Sequence, residues 1–207
     1  MLNYNQVTNS EINNNGVSIK EIAPIMKLNL RGKTREFFTN VGKTLNMILP
    51  IEANTSSSSD KLTAIWLSPD EWMIVSNETT SKETNTYELN DILFSNISKT
   101  SLGAVTDVTD QFVQLEIKGD KIYELFSSGC PFNFNLFREK KGSTVQTLLN
   151  HIDVIIHNKD KDFVNLFVRR SFAKHLWEWM EDSSSRLQRL IFTPIIPRHF
   201  KFTLPNT

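Results

Sequence analysis

The chain has 207 residues, a hydrophobic fraction of 39% and a single cysteine, which is typical of one large or two small globular domains. Its 23 basic and 23 acidic side chains cancel. A nucleic-acid partner, which normally requires a basic excess, is therefore not expected. No apolar run approaches the roughly 20 residues of a bilayer span, and no basic start precedes an apolar stretch as in a signal peptide. We expect a cytoplasmic protein with no membrane partner, and its single cysteine cannot form an internal disulfide.

The charge is unevenly distributed along the chain. Residues 183–207 contain four basic and no acidic side chains, whereas residues 1–182 contain 19 basic and 23 acidic ones. The neutral total therefore combines an acidic body with a basic, partly apolar C-terminal extension.

The first predicted elements are an arm, a strand and a helix. Residues 1–16 are polar and rich in asparagine, which predicts a mobile arm. Apolar side chains alternate in Met26–Arg31, the pattern of a half-buried strand, and Gly32 ends it. Thr34 is a suitable cap for the helix that follows. The apolar face predicted for this helix consists of Phe37, Phe38, Val41, Leu45 and Ile48.

The next elements complete a first unit over residues 17–110. A solvated loop is predicted at 54–60, and a Pro-initiated turn joins the strands Leu62–Leu67 and Trp72–Ser76 into a hairpin. A helix over about 85–98 and a strand at Leu102–Val108 follow. The order β-α-β-β-α-β is that of a split βαβ, ferredoxin-like unit.

A second unit over residues 111–182 repeats this order incompletely. Its predicted elements are a strand at Phe112–Ile117, a short helix after Gly119-Asp120, a long connection over 132–141, a hairpin of Ile152–His157 and Phe163–Val168, and a helix over about 170–181. The closing strand is missing, and either Thr144–Leu149 or Leu190–Ile196 could supply it. The predicted class is α+β with two ferredoxin-like units, the second incomplete.

The final helix is the most informative element for partners. Its apolar residues cover an arc of about 160°, wider than one sheet face requires, and Trp177 and Trp179 occupy the two edges. Large aromatic residues at such an edge are typical of protein interfaces. The interface candidates are therefore Trp177, Trp179, Phe172 and Arg170. The alternative is that loops of the same chain cover the two tryptophans.

The residues capable of chemistry form no recognisable catalytic pattern. Cys130 could act as a nucleophile with His151 or His157, yet Gly-Cys-Pro is more typical of a helix stop followed by a turn. The four histidines lack metal-ligand spacing, and no glycine-rich phosphate loop is present. We therefore expect no catalytic, cofactor-binding or metal-binding residue on this chain.

Four segments, taken in order, resemble the gamma subunit of heterotetrameric sarcosine oxidase. Asp107-Val108-Thr109-Asp110, followed by Gly119-Asp120, is similar to what that family places between the second and third segments. The resemblance spans roughly residues 20–182. The four segments are Leu28-Asn29-Leu30-Arg31-Gly32, Trp66-Leu67-Ser68-Pro69-Asp70-Glu71-Trp72, Gly129-Cys130-Pro131 and Arg170-Ser171-Phe172-Ala173-Lys174-His175-Leu176-Trp177-Glu178-Trp179.

The resemblance implies a non-catalytic subunit whose alpha, beta and delta partners hold FAD, FMN, NAD and zinc. Such a complex oxidises sarcosine to glycine with oxygen, yielding hydrogen peroxide and 5,10-methylenetetrahydrofolate. The family also resembles in fold the tetrahydrofolate-binding domains of the glycine-cleavage T-protein. A stand-alone folate or pterin binder of that fold is the alternative function. Residues 183–207 lie beyond the part that the resemblance covers.

Overall fold

The computed structural model describes residues 6–8, 11–76 and 87–187. The helices are α1 (Arg35–Leu45), α2 (Glu88–Leu93, continued by a π-helical turn at Phe94–Ser98), α3 (Ile122–Ser127), α4 (Asn135–Glu139) and α5 (Arg170–Ser185). The strands are β1 (Ile12–Asn14), β2 (Val17–Glu21), β3 (Lys27–Arg31), β4 (Ser56–Ser58), β5 (Leu62–Ser68), β6 (Glu71–Ser76), β7 (Ala104–Asp107), β8 (Phe112–Lys118), β9 (Thr144–Leu149), β10 (Ile152–Asp160) and β11 (Phe163–Arg169).

Two antiparallel sheets stack face to face between two layers of helices. The first sheet has the strand order β4-β5-β6-β3-β7, and the second has the order β1-β2-β8-β11-β10-β9. Helices α1 and α2 cover the outer face of the first sheet, and α3, α4 and α5 cover the outer face of the second. The inner faces meet through Ile65, Met73 and Val75 from one sheet and Ile155 and Phe167 from the other. The predicted α+β class is confirmed.

Local sequence signals identified most elements correctly. β3 lies where the alternation of apolar and polar residues predicted a strand. The hairpin of β5 and β6 turns at Pro69-Asp70. Thr34 caps α1, since its Oγ1 accepts a hydrogen bond from the backbone N–H of Phe37 at 3.1 Å. α1 nevertheless ends at Leu45, because Asn46 adopts a left-handed conformation with φ 50°. Ile48 therefore lies outside the helix, and its inclusion in the helix face was wrong.

The missing closing strand of the second sheet comes from the N-terminal part of the chain. β2 pairs with β8 from Ser18↔Lys118 to Glu21↔Leu115, so residues 17–21 belong to the second sheet and not to a first unit over 17–110. Thr144–Leu149 forms β9 at the opposite edge, paired with β10. Residues 190–196 lie outside the described residues. Val17 and Ile19 alternate into the core of the second sheet, which explains the pairing.

The predicted N-terminal arm is partly ordered. Ile12–Asn14 forms β1 and pairs with β2, so the prediction of a mobile arm over 1–16 is wrong for these residues. The hairpin turns at Asn15 and Gly16, whose φ angles are 42° and 86°. Asn-Gly is the sequence that two-residue hairpins prefer, because both turn positions require positive φ.

Three polar or connecting segments also differ from prediction. The loop expected at 54–60 contains the edge strand β4, which pairs with β5, and the connection expected at 132–141 contains α4, with Phe137 in the core. In both cases tertiary pairing or packing overrides weak local propensity. α5 continues past residue 182 to Ser185, and Leu187 is buried, so the C-terminal extension does not separate from the body at residue 183.

No helix among the described residues is both long and apolar enough to cross a membrane.

Docking of the N-terminal hairpin makes a glycine indispensable at position 119. Gly119 has φ 129°, and a Cβ there would lie 1.9 Å from the carbonyl oxygen of Gly16. Gly119→Ala should lower the free energy of unfolding by about 2 kcal/mol or more, as expected for a strained backbone with a steric clash. Gly42→Ala in α1 is the matched control, because a Cβ there meets its first neighbour at 3.5 Å.

The control should stabilise the protein by about 0.5–1 kcal/mol, since alanine favours a helix interior. Urea unfolding of both variants measures these differences. Equal stability of Gly119→Ala and the wild type would contradict the docked position of the hairpin.

Candidate functional site

The start of α5 is fixed to the turn between the two sheets through Arg170. Its backbone N–H donates to the Gln111 carbonyl oxygen at 2.9 Å, and its Nε donates to the Asp110 carbonyl oxygen at 3.0 Å. Its Nη2 lies 3.9 Å from Asp110 Oδ1. Arg170, an interface candidate from the sequence, therefore holds the helix in place within this chain.

The two tryptophans of α5 pack within the chain. Trp177 is 5% exposed and belongs to the core of the second sheet, in agreement with the alternative that segments of the same chain cover it. Trp179 is half-buried against Gly129, where a Cβ would approach the indole Cζ2 to 2.5 Å. Only the absence of a side chain at Gly129, just after α3, lets the indole lie there. The wide apolar arc is thus explained by covering segments of the same chain.

Phe172 is the one of the four candidates that presents a large apolar side chain to solvent. It is 49% exposed, and the neighbouring residues Lys174, His175 and Glu178 on the helix are exposed too. A role of Phe172 in an interface stays a prediction. Of the four candidates, Trp177 and Trp179 pack within the chain, Arg170 positions the start of α5, and Phe172 lies at the surface.

Cys130 and His157 lie on opposite faces of the second sheet. Cys130 belongs to the outer-face core, where its Sγ lies 3.4 Å from Thr147 Oγ1. His157 points to the inner face, where its Nε2 lies 2.9 Å from Ser56 Oγ. Burial lowers the pKa of His157 to about 4, so its imidazole is neutral at pH 7. The sheet between them prevents the pair from acting as nucleophile and base.

His151 lies in the turn between β9 and β10, where it is exposed and has φ 66°. Among the residues that the structure describes, no group of three or more histidine, cysteine, aspartate or glutamate side chains is placed to hold a metal ion.

A buried lysine lies between the sheets, a position that sequence alternation assigned to solvent. Lys27 is 1% exposed, and its Nζ donates to the Ile25 carbonyl oxygen at 3.1 Å. Desolvation, with a smaller contribution from Arg170, lowers the pKa of Lys27 to about 8. Its backbone N–H donates to Thr109 Oγ1 at 3.0 Å. The alternation of β3 was correct, but the second sheet covers the face that the pattern marked as polar.

An open cleft of about 490 Å³ lies at one end of the inner face of the second sheet. The pairs Phe112↔Arg169 and Leu148↔Asp153 form its cross-strand row, and the Arg169 guanidinium lies 6.0 Å from the Phe112 ring centroid. Gln146 Nε2 donates to the Leu67 carbonyl oxygen at 2.7 Å, linking β9 to the first sheet. The lining of the cleft is therefore largely apolar, and it includes one cationic side chain, Arg169, and one anionic side chain, Asp153.

The comparisons with known proteins agree with this architecture. The model of a family described as "Sarcosine oxidase, gamma subunit family" matches residues 32–186, which is more than half of the chain. No curated protein matches the chain.

Two solved structures have similar folds. One is a chain of the heterotetrameric sarcosine oxidase from Corynebacterium sp. U-96, in complex with pyrrole 2-carboxylate. It has a TM-score of 0.73 and 20% identity, over 82% of this chain and 84% of that one. The other is glycine cleavage system aminomethyltransferase T from Bartonella henselae, with a TM-score of 0.55 and 16% identity over 80% of this chain. This chain spans 45% of the length of that protein. The expected likeness to the T-protein fold is confirmed.

The different positions of Trp177 and Phe172 lead to opposite expectations for stability. Trp177→Ala should lower the free energy of unfolding by about 3–5 kcal/mol, because it leaves a cavity in the core. Phe172→Ala should change it by less than about 1 kcal/mol. Urea unfolding at pH 7 compares the two variants. An unchanged stability of Trp177→Ala would show that the indole lies at the surface after all.

The buried His157 makes the fold sensitive to acid. Between pH 6.5 and about 4 the unfolded chain binds a proton at this imidazole that the folded chain does not. The free energy of unfolding should therefore fall as the pH drops through this window, by about 3 kcal/mol in all. Above pH 6.5 the group is neutral in both states and contributes no further pH dependence.

His157→Gln should reduce the loss of stability between pH 7 and pH 4.5 in urea unfolding. His175→Gln, on the exposed face of α5, is the matched control and should keep the pH dependence of the wild type. An identical pH dependence in all three proteins would contradict the buried, neutral state of His157.

Proposed function

Since the chain belongs to the sarcosine oxidase gamma subunit family, we propose that it is the non-catalytic assembly subunit of a heterotetrameric sarcosine oxidase. The observation that carries this proposal is the family match, which extends from α1 through α5 and so includes strands of both sheets, from β4 to β11. The similar fold of a chain from such a heterotetramer supports it.

The proposed complex oxidises sarcosine to glycine with oxygen and releases hydrogen peroxide in the cytoplasm. It transfers the one-carbon unit to tetrahydrofolate as 5,10-methylenetetrahydrofolate. FAD, FMN, NAD and zinc belong, in this proposal, to the alpha, beta and delta subunits. The gamma chain contributes a folded surface against which those subunits assemble.

The engagement of the reactive side chains in the fold supports a structural role. Cys130 is buried beside Thr147, and the imidazole of His157 is paired with Ser56 across the two sheets. Lys27 is enclosed between the sheets and hydrogen-bonded to a backbone carbonyl. Each group contributes to packing between elements and is withdrawn from solvent, where a substrate would have to reach it.

Co-expression tests this function directly. The chain, carrying an affinity tag, should co-purify with the alpha, beta and delta chains of the sarcosine oxidase from the same source. Omission of the gamma chain should reduce the yield of assembled complex, while Cys130→Ser should leave the sarcosine-dependent oxygen consumption of the assembled complex unchanged.

Two results would contradict the proposal. A gamma chain that stays alone in the presence of all three partners would favour the stand-alone folate-binding alternative. Loss of activity in an assembled Cys130→Ser complex would show that this chain takes part in the chemistry.

A further inference from the structure

The open cleft has the size of a small-molecule site. On the inner face of the second sheet, Ile155 and Phe167 pack against the first sheet. The next row along the strands lines the cleft instead, and Leu148 in that row is 45% exposed. The cleft volume of about 490 Å³ lies within the range of about 300–1,000 Å³ that ligand sites occupy. The row consists of Phe112, Arg169, Asp153 and Leu148.

Two opposite charges stand in this row without neutralising each other. Val154 pairs with Val168, so Asp153 and Arg169, the next residues on the two antiparallel strands, are cross-strand neighbours on the inner face. Opposite charges in such positions attract each other. Among the described residues, however, neither of these two side chains forms an ion pair. The cleft therefore contains one cation and one anion that both lack a charged partner.

The two charges are separated by about the length of a small ligand. The Arg169 guanidinium lies 6.0 Å from the ring centroid of Phe112 on β8, whereas Asp153 stands on β10, and β11 lies between these two strands. Neighbouring strands are about 4.7–4.9 Å apart, so one to two strand spacings, roughly 5–10 Å, separate the charges. Apolar side chains of Phe112, Leu148 and Ile155 line the same cleft.

These groups together favour one class of ligand. A guanidinium binds a carboxylate through two parallel hydrogen bonds, and a carboxylate binds an ammonium group. With one hydrogen bond of about 2.9 Å at either end, the zwitterionic head of an α-amino acid spans the gap between the two charges. An aliphatic side chain on that amino acid would cover the apolar part of the lining. A ligand with a single charge would leave the other charge of the cleft without a partner.

We propose that the cleft binds an α-amino acid with an aliphatic side chain in its zwitterionic form. Arg169 pairs with the ligand carboxylate, and Asp153 pairs with the ligand ammonium group. Leu148 and Ile155 contact the aliphatic side chain, whose removal from water contributes to the affinity. This inference goes beyond the proposed function, because the site lies within one chain and requires no other subunit.

Titration of the isotope-labelled full chain with L-leucine, followed by two-dimensional NMR, tests the site. Saturable shifts should appear at the backbone amides of the residues that line the cleft, with a Kd of about 10 mM or tighter for so small a ligand. Arg169→Gln and Asp153→Asn should each weaken binding by about fivefold or more, since each removes one charge-assisted contact. The matched controls Arg35→Gln and Asp60→Asn alter exposed charges outside the cleft and should bind like the wild type.

Two analogues of leucine test the same contacts from the side of the ligand. 4-Methylpentanoate lacks the ammonium group and 3-methylbutylamine lacks the carboxylate, so each should bind about fivefold more weakly than leucine or worse. Asp153→Asn should not weaken the binding of 4-methylpentanoate any further, and Arg169→Gln should not weaken that of 3-methylbutylamine.

Four results would overturn the inference. They are the absence of saturable shifts at leucine concentrations several times the expected Kd, shifts confined to residues outside the cleft, equal affinity of all five proteins for leucine, and equal affinity of the wild type for leucine and 4-methylpentanoate. Well-dispersed amide signals show that a variant is folded, and if Arg169→Gln unfolds, Asp153→Asn alone decides. Since the titration uses no other subunit, failure of the chain to co-purify with its partners would overturn the proposed function and not this site.

Discussion

The second sheet is completed by a strand from the other end of the chain, and the rest of the architecture depends on this pairing. β2 joins β8, and the chain then passes from the second sheet into the first before β3; it returns after β7. The two crossings are hydrogen-bonded to their surroundings at one end of the sandwich. Ile22 donates to the Gln114 carbonyl oxygen at 3.0 Å, and Val108 donates to that of Lys27 at 2.9 Å. The first bond extends the pairing of β2 with β8 and the second that of β7 with β3, so each sheet stays paired up to the point where the chain crosses.

The interface between the sheets includes polar groups that weaken it. Besides the Ile65, Met73, Phe167 cluster it contains Lys27, whose ammonium is costly to bury. Among the described residues, Gln114 Oε1 and Asn165 Oδ1 are buried without a hydrogen-bond partner. A buried unsatisfied acceptor costs about 1–3 kcal/mol. The apolar outer cores therefore contribute most of the stability, while the inner layer sets how the two halves are placed.

This arrangement is consistent with the assembly role proposed above. Cys130, His157 and Lys27 are enclosed within the layers, with Cys130 and His157 on different faces of the second sheet. Large apolar side chains are instead exposed on the loop after α1 and on α4.

The sequence by itself determined the elements that depend on neighbours along the chain. Thr34 as a cap, Pro69 in a turn and the alternation in β3 each act within a few residues, so they could be read directly, and the ordered motifs identified the family. Only the tertiary structure decided what covers each face. Alternation marked Lys27 as the polar side of a strand but could not reveal the second sheet above it, and helical periodicity could not show that Gly129 makes room for Trp179. The sequence also did not identify β2 as the strand that pairs with β8. Backbone hydrogen bonds between distant strands are nearly independent of residue type, so packing of the whole chain decides which strand pairs with β8.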